Sequence, residues 1–109
     1  MKMVMIALIF NFLDFATGLI QGFKSKSISS TKLRDGLFKK IGFVLCYVLS
    51  FIIDNYCYLI GFNLGFDTLP VIISYVVLTE IVSIIENICE INPDLSVKKL
   101  LDLINIKEG

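Results

Sequence analysis

Acidic and amide side chains placed inside long apolar runs are the residues of this sequence with chemistry to offer. Asp14, Asp54, Glu80 and Glu86 interrupt such runs, with Asn11, Ser50, Ser83 and Asn87 near them. The residue types limit what these groups can do. The 109-residue chain has no histidine, the commonest general base and metal ligand. Cys46, Cys57 and Cys89 fit neither a metal-ligand spacing nor a disulfide framework, and their apolar surroundings predict small packing residues. No nucleophile stands beside a base. No catalytic, cofactor-binding or metal-binding residue is therefore expected, and the chain does not read as an enzyme. What remains is the chemistry of carboxylates and amides in a medium of low dielectric: hydrogen bonds between helices, or contact with water.

The elements that must position these groups follow from composition. The chain is 56% hydrophobic and only 18% charged, against about 45–50% and about 25% in soluble domains. A core of this size cannot bury that much apolar surface, so lipid is the expected solvent. Three runs approach the roughly 20 residues that a membrane helix needs: 3–20, 41–62 and 69–91. The first holds one charge, Asp14. The second holds Asp54, and the third holds Glu80, Glu86 and Glu90. Asn11 and Asp14 break the first run, and no Ala-x-Ala cleavage site follows, which argues against a signal peptide. Asn92-Pro93 ends the third run and starts an amphipathic surface helix over 93–106, with Val97, Leu100, Leu101 and Ile104 on one face. The expected fold is a single all-α membrane domain over 1–109. It has three transmembrane helices, a basic surface segment and this amphipathic tail.

Charge distribution sets the orientation. Residues 21–40 carry six basic side chains, Lys24, Lys26, Lys32, Arg34, Lys39 and Lys40, against one acid, Asp35. The connector at 61–68 carries no basic residue. A nucleic-acid binder would need that charge on a folded basic face. Between apolar runs the positive-inside rule is the better reading. It predicts a cytoplasmic basic loop and C-terminus, with the N-terminus outside. The cluster Ser29-Ser30-Thr31 is a plausible N-cap, so a helix is expected to begin near Thr31, follow the surface and continue into the second run.

Each run has a polar stripe. Asn11, Asp14, Gly18 and Gln21 fall within about 80° of arc. Gly42, Cys46, Ser50, Asp54, Cys57 and Gly61 recur mostly in steps of four. Glu80, Ser83, Asn87 and Glu90 share a face, with Thr79 and Glu86 at its edge. An Asp at mid-membrane costs about 2.5–3.5 kcal/mol on insertion scales, so these stripes are expected to face protein or water. Two readings stay open. In one, small residues on the second helix allow close packing, and the acids hydrogen-bond between helices within one copy. In the other, the stripes form a contact surface between copies or the wall of a water-filled hole. A lone three-helix chain offers little interior for so many acids, and that favours a homo-oligomer.

Three segments carry a family resemblance. Asp14-Phe15-Ala16-Thr17-Gly18 is similar to an Asp-x-x-Thr-Gly motif at the end of a span. The Ser29/Ser30 region and Gly36-Leu37-Phe38-Lys39-Lys40-Ile41-Gly42 are similar to a Gly-x-x-Lys-Lys approach to the next span, with Asp54 downstream. Glu80-x-x-Ser83-Ile84-x-Glu86-Asn87 is similar to a Glu-x-x-Ser-Ile-x-Glu-Asn motif that precedes a proline and a Lys/Leu-rich tail. In this order they resemble the phage-lysis and toxin-secretion holins of the clostridial toxin-secretion type. The resemblance implies a small protein of the bacterial cytoplasmic membrane that oligomerises and opens lesions, releasing an endolysin or a large toxin. An antiholin of the same family, a small ion channel or transporter subunit, and an anchoring protein remain alternatives at this stage.

Overall fold

A computed structural model describes residues 2–95 of the chain. Among them the helices are α1 (Lys2–Ser25), α2 (Ser30–Tyr56) and α3 (Thr68–Ile91), with a 3-10 turn, Cys57–Ile60, continuing α2. At 24 residues, α1 and α3 are each about 36 Å long, enough for a hydrocarbon core of about 30 Å. Both of these helices and the stretch Ser30–Ile60 are long and apolar enough to cross a membrane. The all-α, three-span architecture is the one the apolar runs predict.

The helix ends depart from expectation. The first helix runs on to Ser25, where Lys26 takes a left-handed conformation with φ 56°. Lys26 N donates to Phe23 O at 3.3 Å and Ser27 N to Gly22 O at 3.0 Å, a Schellman closure. Ser29 then caps α2, its side chain accepting from Lys32 N at 3.1 Å. The basic loop expected over 21–40 is thus only the turn 26–29. Lys24 belongs to α1, and Lys32, Arg34, Lys39 and Lys40 belong to α2. The physical reason is the pairing of a tight C-terminal closure with an N-cap four residues after Ser25, which leaves the remaining basic residues in helix. At the far end, regular α-helix stops at Tyr56, before the expected limit of 62. Gly61, with φ 77°, closes the 3-10 turn by donating to Tyr58 O at 3.0 Å. The amphipathic helix expected over 93–106 lies, beyond residue 95, outside the described residues.

The third helix packs against both others, most extensively against α1. The first and third helices run parallel, because Lys24 near the C-terminus of α1 donates to the last carbonyls of α3, Glu90 O at 3.1 Å and Ile91 O at 2.8 Å. A cation on orphan carbonyls at a helix C-terminus is favourable. The second helix runs the other way, and Asp54 near its end meets the start of α3. Ala7, Tyr47, Leu69, Ile73 and Val76 form the buried core. Most large apolar side chains point outward, among them Phe12, Phe23, Ile60 and Leu78, as expected where lipid takes the place of a core.

The stripe of small residues on α2 does not pack as a unit. A Cβ on Gly42 would meet nothing within 4 Å, and Cys46 is exposed. Steps of four advance about 400°, so such a stripe winds off a straight face by about 40° per step. Ser50, which is buried, and Asp54 and Cys57, which are half-buried, remain turned inward. Cys46 is therefore not the packing residue that its apolar surroundings predict. Cys57 and Cys89 are half-buried.

Candidate functional site

Near the middle of α1 and of α3 lie two carboxylates, and a lysine from α2 reaches both. Lys40 Nζ donates to Asp14 Oδ2 at 2.7 Å and to Glu80 Oε2 at 2.8 Å. Glu80 is completely buried, while the Asp14 and Lys40 side chains are 12% and 15% exposed. One ammonium thus ties all three helices together. In a low-dielectric interior such a contact is strong, and leaving any member unpaired is expensive. Glu80 Oε1 accepts no hydrogen bond among the described residues.

Amides and hydroxyls extend the site in both directions. Asn87 Nδ2 donates to Thr17 Oγ1 at 3.1 Å and to Asp14 Oδ1 at 3.3 Å. Gly18 lies alongside, where a Cβ would stand 3.7 Å from Asn87 Nδ2, an ordinary contact distance. Thr17 in turn donates to Leu13 O at 2.9 Å. Toward the other end, the Tyr47 hydroxyl donates to Asn11 Oδ1 at 2.9 Å. Both residues are buried, and Asn11 Nδ2 has no partner among the described residues.

A cavity of about 280 Å³, with both polar and apolar walls, opens beside this cluster. Its walls are the C-terminal half of α1, the 26–29 turn and the first turns of α2. Ser83 and Asn87 of α3 line it as well, and Asp14 and Lys40 stand at its inner end.

The structure divides the residues singled out in the sequence. Asn11, Asp14, Gly18, Glu80 and Asn87 come together, with Ser83 at the cavity. Ser50 and Asp54 stand near the opposite end of the bundle. There Asp54 Oδ1 accepts from Thr68 N at 2.7 Å and from Thr68 Oγ1 at 2.8 Å, and its Oδ2 accepts from Leu69 N at 2.8 Å. It caps α3 from a neighbouring helix, where Asp67, the N-cap residue itself, makes no side-chain cap. Glu86 is exposed and takes no part in the cluster. Lys40, counted in the sequence with the surface loop, is the centre of the site, and Tyr47 is an addition that the polar stripes did not flag. A signal for both exists in the spacing. Leu33, Lys40, Tyr47 and Asp54 follow one another by sevens, close to two helical turns, and so share a face. Among the described residues no cluster of His, Cys, Asp and Glu could hold a metal ion.

The three segments that carry the resemblance each supply one charged member of the triad: Asp14, Lys40 and Glu80. The model of the bacteriophage holin family matches residues 1–107. The chain belongs to the bacteriophage holin family. It is accordingly a holin-like, multi-pass protein of a bacterial membrane, from a family that is not an enzyme family. No curated protein and no solved structure matches the chain.

Proposed function

We propose that this holin-family protein accumulates in the bacterial cytoplasmic membrane, oligomerises, and opens lesions through which an endolysin or a large toxin leaves the cell. The observation that carries the reading is the triad. Each protomer keeps a strongly polar face, Asp14, Glu80 and Asn87, closed against its own helices by Lys40, while its outer surface is apolar. Such a protomer is compatible with lipid before assembly. Opening exchanges the partners of the polar face: the Lys40 contacts break, and the face turns to neighbouring copies or to water. Burial of Glu80 within one protomer removes the argument that a second copy is needed to hide it. Oligomerisation then belongs to the opened state. The concentration of Lys and Arg between Lys24 and Lys40, against none at 61–68, supports an N-terminus outside and a C-terminus in the cytoplasm. No reaction chemistry enters this mechanism.

The test is inducible expression in a bacterium, with membrane potential and lysis recorded with and without a co-expressed endolysin. Collapse of the potential, and lysis that depends on the endolysin, are expected. Selective, gradient-coupled flux would favour a channel or transporter subunit, for which the same buried carboxylates would bind the ion. No permeability, with delayed lysis when a second holin is co-expressed, would indicate an antiholin.

A further inference from the structure

The cavity between α1 and α2 has a charge balance that the triad does not use. Its inner end is occupied: Lys40 is held by two carboxylates. Its outer wall carries Lys32 and Lys39, and neither makes an ion pair among the described residues. Lys39 instead stands 5.8 Å from the centre of the Phe43 ring. Ser27 and Gln21 add hydroxyl and amide groups, and Gly36 leaves the α2 wall open, with nothing within 4 Å of where a Cβ would stand. The first turn of α2 also borders the cavity, with Ser29 at its cap, and the positive end of a helix dipole favours an anion. The volume, about 280 Å³, lies just under the range of about 300–1,000 Å³ typical of drug-sized ligands. Ile20, Phe23, Leu37 and Phe38, each next in sequence to a residue that lines the cavity, are exposed.

We infer that this cavity binds the phosphate headgroup of an anionic phospholipid, with Lys32 and Lys39 on the phosphate and the acyl chains along the apolar flank of α1 and α2. Basic pockets between membrane helices suit such headgroups. A free phosphate ion would satisfy the same ammonium groups. The exposed apolar residues next to the lining ones and the placement at one end of three membrane-length helices commit the site to a lipid. The bound headgroup would also bridge α1 and α2, beside their own contacts Lys40–Asp14 and Tyr47–Asn11.

The experiment uses the full-length protein in nanodiscs of equal phosphatidylglycerol and phosphatidylcholine, released into native mass spectrometry. Preferential retention of phosphatidylglycerol is expected. The double variant Lys32→Gln/Lys39→Gln should reduce that retention by roughly tenfold or more. The control Lys26→Gln/Arg34→Gln removes the same charge outside the cavity and should retain the lipid. Gly36→Leu fills the cavity without altering charge and should also lose the lipid. Its expected helical circular dichroism excludes misfolding as the cause. Equal retention of the two lipids, or equal loss in the control, would overturn the inference. Displacement of the lipid by millimolar inorganic phosphate would reassign the site to the free ion. None of these readouts involves lysis, so they stand or fall separately from the lesion-forming reading.

Discussion

Lys40 and Glu80 meet at 2.8 Å although they belong to different helices and Glu80 is wholly buried. Glu80 therefore sits in its protomer as a member of an ion pair, with Asp14 on the same ammonium at 2.7 Å. The bundle has little apolar core, so this contact has weight in holding α2 to the other two helices. Replacing the lysine separates its role from general packing. Lys40→Met keeps the length and apolarity of the stem but leaves two carboxylates without a cation. Loss of one partner of a buried pair costs about 3–5 kcal/mol. The lower end is expected here, because the cavity admits solvent to Lys40 and Asp14. Thermal unfolding in mild detergent should show a clear drop in Tm. Lysis at equal membrane abundance should begin at a different time, with Lys40→Arg closer to the parent. Unchanged Tm and timing in Lys40→Met would show that the triad does not hold the protomer together.

Asp54 gives a prediction of the opposite kind. The sequence places it with the polar stripes as a candidate for an oligomer or pore face, while the structure has it accept three hydrogen bonds from Thr68 and Leu69 at the start of α3. Asp54→Ala should lower Tm and increase proteolysis within the 61–67 turn, with Asp54→Asn intermediate. If Asp54→Ala instead changes lysis timing at unaltered Tm, the capping role is secondary and an assembly role is the better account.

The turn between α1 and α2 depends on one close approach. A Cβ on Gly22 would lie 2.6 Å from Ile28 Cγ1, so Gly22→Ala forces Ile28 to move. Overpacking of this kind typically destabilises by about 1–3 kcal/mol. The pair Gly22→Ala/Ile28→Ala should recover much of the loss. A double-mutant cycle on Tm reads the coupling, and strict additivity would deny the contact.

How much of this was legible in the sequence depends on which geometry each residue required. The three helices follow from run length and hydropathy, and α3 was placed to within a residue. Asn11, Asp14, Glu80 and Asn87 were legible as polar positions in apolar runs. Lys40 was not, because the helix expected to begin near Thr31 was placed along the membrane surface until the second run at 41, which left Lys40 outside the bundle. The cap in the Ser29-Ser30-Thr31 cluster was legible, and the structure adds that the helix it starts packs into the bundle, with Lys40 in register with Tyr47 and Asp54. Glu86 illustrates the limit of stripe reading. It stands six residues, about 600°, beyond Glu80, which turns it well away from the buried side even though the two fall in one motif.

The orientation has its own check. In a cysteine-free background, a membrane-impermeant thiol reagent added outside should label a cysteine placed at Asn63 and leave one at Ser27 untouched. Both positions stand in connectors between helices. The expectation rests on the absence of basic residues at 61–68 and their concentration between Lys24 and Lys40. Labelling at Ser27 but not at Asn63 would reverse the topology.

The last prediction compares the two acids of the third helix, which the sequence groups and the structure separates. Glu80 is buried on Lys40, and Glu86 is exposed. Glu80→Leu makes α3 more apolar, so membrane insertion should not suffer. It also leaves Lys40 with a single carboxylate, Asp14, and so balances the local charge. The closed protomer should lose one charge-assisted hydrogen bond but be relieved of an uncompensated negative charge, and the change in Tm should be smaller than for Lys40→Met. If the polar face is turned to neighbours or water on opening, the same substitution removes a group that the opened state needs. Lysis should then be delayed even where the protomer is stable. Glu86→Gln keeps hydrogen-bonding capacity at an exposed position and should shift timing less. Interhelical hydrogen bonds in membranes are worth about 0.6–2 kcal/mol each, so single changes should move the onset of lysis rather than abolish it, and Glu80→Leu/Glu86→Gln should move it further. The measurement is a lysis time course with membrane abundance and oligomer size followed in parallel. Parental timing and oligomer size in the double variant, at equal abundance, would exclude this face of α3 from the assembled lesion and direct attention to α2.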